Sequence, residues 1–197
     1  MYNKIHWSSL QTQKQAMQSI KTSFISSFLV VLFSVFISSA FAQDKKVEKI
    51  QWMSFQSATQ KNQVQPKKLF IDVYTGWCGW CKRMDATTFE DPNIIAYMNA
   101  HFYAVKFDAE TKDTIVVKEK SYFFKPEYKA NEFAAQMLNG QMSYPTSVYV
   151  DEHLNEIGPW PGYQSAEQLL PILKYFAEDV YKTGKKFEDY LNETVKK

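Results

Sequence analysis

Residues 69–74 are apolar, aromatic or β-branched except for Asp72, the pattern of a buried strand. Thr75-Gly76 breaks that run, and good helix formers follow from Cys78 to about residue 88. Upstream, Ile50, Trp52 and Phe55 predict a short first strand, and residues 57–65 a polar helix ended by Pro66. Downstream, Asp91-Pro92 is a helix start, with aspartate as cap and proline in the first turn. Ile94, Ile95 and Met98 then take the inward spacing of a helix over 93–99. Residues 102–108 read as the next strand. Residues 115–117 and 122–124 read as a strand pair around a Lys118-Glu119-Lys120 turn. A helix over 129–138 carries Phe133, Met137 and Leu138 and closes at Asn139-Gly140. A strand follows Pro145, and a shorter one at 156–157 is closed by Gly158 to Gly162. Ser165 caps a long helix over 166–181, Gly184 ends it, and 187–195 is an amphipathic tail. Strands alternating with helices predict an α/β fold, a mixed central sheet flanked by helices.

Composition changes this picture at one end. The 197 residues are 45% hydrophobic and 16% aromatic, enough for one domain with a proper core. The formal net charge of +2 comes from the first 42 residues, which hold Lys4, Lys14 and Lys21 and no acid. The remainder carries 20 basic and 21 acidic residues with no basic cluster, which argues against nucleic acid as a partner. Lys21, the apolar stretch 24–37 and Ala40-Phe41-Ala42 have the order of a secretory signal peptide, with cleavage after Ala42. The expected organisation is an extension and signal peptide at 1–42 and a single domain over 43–197. Met17 is an alternative start to Met1, and an uncleaved membrane anchor is the alternative to cleavage. Export, to the periplasm or beyond, places the cysteines in a disulfide-permissive compartment.

Those cysteines, Cys78 and Cys81, are the only two. Zinc requires about four ligands, and His6, His101 and His153 show no pairing. Haem attachment requires histidine after the second cysteine, where Lys82 stands, and an iron–sulfur cluster lacks ligands too. No metal and no separate cofactor is expected. A structural disulfide is the bland alternative, but so small a loop restricts the unfolded chain little. At a strand-to-helix junction the free amides of the first turn favour a thiolate at Cys78, and Cys81 is placed to displace whatever Cys78 captures. Cys78 is expected to be the more exposed sulfur.

Asp72, six residues before Cys78, followed by Trp77-Cys78-Gly79-Trp80-Cys81-Lys82, resembles the active-site segment of the thioredoxin superfamily. The resemblance runs with interruptions over about 68–180. It is nearest to secreted bacterial thioredoxin-like proteins with Trp-Cys-x-Trp-Cys-Lys and a later Ser-Tyr-Pro-Thr, here at 143–146. Trp80 departs from the proline usual there. The resemblance implies a thioredoxin-like fold with an insertion at about 111–140, and a cis Tyr144-Pro145 bond facing the cysteines. It makes Asp72 a buried carboxylate accepting the Cys81 proton through water, and Lys106 its ion-pair partner. By residue type alone, Asp72 also reads as a strand-edge carboxylate and Lys106 as an exposed strand residue. Trp77, Gly79, Trp80, Tyr144 and Pro145 would contact substrate.

The implied activity is an exported thiol–disulfide oxidoreductase, acting as a monomer on protein thiols and disulfides, with Cys78 as nucleophile and Cys81 resolving. A reductase would need a membrane electron donor. The alternative is a thioredoxin-fold binding or chaperone module whose cysteines only staple the site.

Overall fold

The computed structural model describes residues 49–195. The segment expected to be a signal peptide, 1–42, lies outside them. Among the described residues no helix is long and apolar enough to cross a membrane.

A five-stranded sheet forms the centre, in the order β1 (Trp52–Met53), β3 (Phe102–Asp108), β2 (Lys68–Tyr74), β8 (Thr146–Val150), β9 (Glu156–Pro161). The first three run parallel, and β8 and β9 are antiparallel to their neighbours. Pro159 and Pro161, which lack a donor, sit on edge strand β9, so the strand continues through the segment expected to close it.

Strand alternation sorts side chains between two layers. Phe70, Phe102, Ala104 and Tyr149 face one core with Met84, Ile94, Met98, Leu169 and Leu173. These come from α2 (Gly79–Ala86), α3 (Pro92–His101) and α5 (Ala166–Ala177). Leu69, Ile71, Val73, Val105 and Val148 face the other, under α1 (Phe55–Val64) and α4 (Glu132–Met137). The expected mixed sheet flanked by helices is therefore present.

Four expectations are corrected in detail. Phe55 opens α1 instead of ending the first strand, because Ser54 accepts a hydrogen bond from the Ser57 amide and starts the helix two residues early. The strand pair turns over two residues, Lys118 and Glu119, both at positive φ (48° and 68°), so β4 (Ile115–Val117) pairs with β5 (Lys120–Tyr122). Residues 124–131 then form a second small pair, β6 (Phe124–Lys125) with β7 (Ala130–Asn131), and Asn131 caps α4 later than expected. Helix α5 stops at Ala177 because Asp179 takes a left-handed φ of 58°, its carboxylate held 2.9 Å from Lys68 Nζ and 3.0 Å from Lys182 Nζ. A 3-10 turn, Val180–Thr183, and α6 (Phe187–Val195) complete the chain.

The segment expected to be an insertion, 111–140, contributes to the core. Ile115, Tyr122, Phe133, Ala134, Met137 and Leu138 are buried against the sheet face carrying Leu69, Ile71 and Val73.

Candidate functional site: a disulfide at a helix N-terminus

Strand β2 is third of five, and its carboxyl end delivers the cysteines to the middle of the sheet edge. The Cys78 amide donates to the Thr75 carbonyl at 3.2 Å, closing the turn between strand and helix. Cys78 is the N-cap of α2, and its Sγ accepts from the Cys81 amide at 3.0 Å. A sulfur bonded to an otherwise orphaned first-turn amide occupies the position where negative charge is best stabilised. Cys78 and Cys81 form a disulfide, their Cα atoms 5.3 Å apart. Both cysteines are buried in the disulfide, Cys78 at 5% and Cys81 at 2% exposed, a difference in the expected direction but a small one.

Tyr144-Pro145 is cis. Thr146 pairs with Val73 in the sheet, which brings Pro145 to the same end of the fold as the cysteines. The Pro145 carbonyl accepts from the Gly162 amide at 2.8 Å.

Two tryptophans flank the bridge. Trp77, 68% exposed, donates from Nε1 to Glu110 Oε1 at 3.1 Å and meets Tyr144 edge-on, ring centroids 5.9 Å apart. Burial, then the charges of Glu110 and Asp108, push the Tyr144 hydroxyl up to about 12, so it stays neutral across the physiological range. Trp80, 56% exposed, lies 5.4 Å from the Tyr163 ring, with the Arg83 guanidinium over both rings. Gly79 is the first residue of α2, and a Cβ there would meet nothing within 4 Å. Trp77, Tyr144 and Pro145 thus gather with the disulfide, and Trp80 stands on the α2 side.

Asp72 is directly opposite Lys106 in the β2–β3 register and opposite Ser147 in β2–β8. Its carboxylate is buried; Oδ2 accepts from Lys106 Nζ at 2.6 Å, while Oδ1 has no hydrogen-bond partner among the described residues. Burial raises the Asp72 carboxyl above its ordinary range, with the Lys106 charge opposing. Burial alone would lower the Lys106 ammonium, but attraction to Asp72 and hydrogen bonds to Asp72 and Asp85 together hold it above its ordinary value. Lys106 is not an exposed strand residue. Its ammonium lies 4.9, 5.2 and 5.1 Å from the ring centroids of Trp52, Tyr74 and Phe89.

Sequence reasoning missed Asp85, Tyr163, Glu110 and Ser147. Asp85, which also pairs with Lys106, carries a usable signal: it follows Cys81 by four residues and so shares its helix face. The other three come from distant segments and carry none.

The family model for a thioredoxin-like domain matches residues 55–177. The chain belongs to the thioredoxin-like family. A thioredoxin-fold protein from Helicobacter pylori superposes with a TM-score of 0.50 at 20% identity, covering 79% of this chain and 91% of that one. A candidate disulphide-isomerase from Bacteroides thetaiotaomicron gives 0.49 at 26% identity, with 68% and 97% covered. A thioredoxin from Thermus thermophilus gives 0.49 at 19%, with 64% and 85% covered. No curated protein matches the sequence. Helix α6 lies beyond the matched span; its Phe187 and Tyr190 extend the thioredoxin-like core by packing on Trp160 and Tyr175.

Proposed function

We propose that this thioredoxin-like protein is an exported thiol–disulfide oxidoreductase that reduces or exchanges disulfides in client proteins. The observation that carries the reading is the Cys78–Cys81 bridge on the first turn of α2, with Cys78 Sγ bonded to a helix amide. In the reduced protein the Cys78 thiolate attacks one sulfur of a client disulfide. The Cys78–client bond forms, the client S–S bond breaks, and the other client sulfur leaves as thiolate. Cys81 then loses its proton, with Asp72 as the acceptor, and attacks Cys78. The intramolecular disulfide forms and the client departs with both sulfurs reduced. Each cycle leaves the protein oxidised, so a membrane-bound electron donor is the partner that would restore it. Trp77, Trp80, Tyr144 and Pro145 are the surface a client would meet, Trp80 offering an apolar face in place of a rigid proline. Export rests on the sequence pattern at 21–42.

Trapping tests this. A Cys81→Ser variant expressed in the native host is expected to accumulate mixed disulfides through Cys78, with the chain beginning at Gln43 in the recovered adducts. Absence of adducts, together with unchanged client affinity in the Cys78→Ser/Cys81→Ser double variant, would instead identify a binding module.

A further inference from the structure

The Lys106 ammonium serves two carboxylates. It bonds Asp72 Oδ2 from one side and Asp85 Oδ1 from another, enclosed by the rings of Trp52, Tyr74 and Phe89. The two acids are differently placed. Asp72 is 1% exposed, whereas the Asp85 side chain is 46% exposed and solvated. Asp85 also sits one turn beyond Cys81 on α2, on the face that the resolving sulfur occupies.

From this geometry we propose that Asp85 is a positioning residue for the resolving step: by sharing Lys106 with Asp72, it keeps the Asp72 carboxylate basic enough to take the proton that Cys81 releases. The proposal rests on the oxidoreductase reading above. One ammonium cannot neutralise two carboxylates, so an added proton goes to one of them. Burial disfavours the charged form of Asp72, which also has an unpartnered oxygen, whereas the Asp85 side chain is solvated, so the added proton goes to Asp72. Without the Asp85 charge, Asp72 and Lys106 become a simple one-to-one ion pair. The lysine then holds Asp72 ionised and makes it a poorer base. The remaining groups facing the cluster are Tyr74 on β2, with Asp108 beside it, and Ser147 on β8; burial and the Asp108 charge raise the Tyr74 hydroxyl, so it stays neutral while the carboxylates titrate.

The test compares wild type, Asp85→Asn and Asp85→Glu, with Asp72→Asn assigning the signals. The first readout is the 13C titration of the Asp72 carboxyl in the oxidised protein, which needs no turnover. The second is the pH profile of single-turnover reduction of oxidised glutathione by the reduced protein. In Asp85→Asn the Asp72 titration is expected at lower pH, and the acid limb of the rate moves with it. The plateau should fall roughly three- to tenfold, the smaller part of what a positioned base supplies. Asp85→Glu is expected to restore both. A merely structural Asp85 would lower the melting temperature and leave the Asp72 titration in place, and that result overturns the inference even where wild-type exchange is normal. Wild-type protein that does not exchange with glutathione at any pH overturns the oxidoreductase reading beneath it.

Discussion

At the scale of single residues, Asp72 is the one charged side chain among the described residues that is fully buried. Its carboxyl is raised by burial, opposed by Lys106, so the native state holds a proton more tightly than the unfolded chain does. The contribution of Asp72 to native stability is then greatest below the unfolded carboxylate value of about 3.9 and is lost as pH rises through the folded value. Replacing Asp72 by asparagine removes the buried charge, and Lys106 retains Asp85 as partner. The oxidised Asp72→Asn protein should therefore have a higher urea midpoint than wild type at neutral pH, with the gap closing toward pH 3. A midpoint equal to or below wild type at pH 7 would mean that the Lys106 pair outweighs desolvation. Lys106 has the opposite charge and the same direction of shift; the stability it contributes is present at neutral pH and lost only as pH rises past its own raised value.

Helix α5 illustrates how local signals set an element. Ser165 accepts from the Gln168 amide at 3.4 Å, and the Gln168 side chain accepts from the Ser165 amide at 3.0 Å, a complete capping box. The helix holds Leu169, Ile172, Leu173 and Phe176 in the core beside Tyr149, so its start is fixed before its packing is considered. Ser165→Ala is expected to cost about 1 kcal/mol, measured by urea denaturation, with the sheet intact. An unchanged midpoint would show that packing alone holds the first turn. Asp91 does the same for α3, accepting from the amides of Asn93 and Ile94 at 2.8 and 3.2 Å. Both starts were legible because cap and helix lie within four residues. The end of α5 was not, since it depends on Lys68, more than a hundred residues away in sequence, reaching the Asp179 carboxylate.

Over the whole molecule, the sheet needs cover on both faces, and residues 111–140 supply much of one. Phe133 is the centre of that cover, its ring 4.7 Å from Phe55, 5.6 Å from Phe107 and 5.2 Å from Tyr122, centroid to centroid. Phe133→Ala should cost about 3–5 kcal/mol, the range for removing a buried aromatic ring. Val116, 51% exposed on β4, should tolerate Val116→Thr within about 0.5 kcal/mol. Matched denaturation curves check the contrast, and equal losses would contradict this account of the core. The sequence pattern placed Phe133, Met137 and Leu138 together on one side of a helix, but did not say which strands that side would cover.

What the sequence determined by itself is what neighbouring residues decide among themselves. The strand, break and helix around Cys78 follow from a run of some sixteen residues, and alternation alone puts Asp72 on the side of Phe70. The tertiary structure decided which distant groups meet there. Parallel pairing of β2 with β3 sets Asp72 opposite Lys106, α2 brings Asp85 to the same ammonium, and the chain beyond β9 backs Trp80 with Tyr163. Local preferences act over one helical turn or one strand pair, whereas a shared proton site depends on register between strands that are distant in the chain.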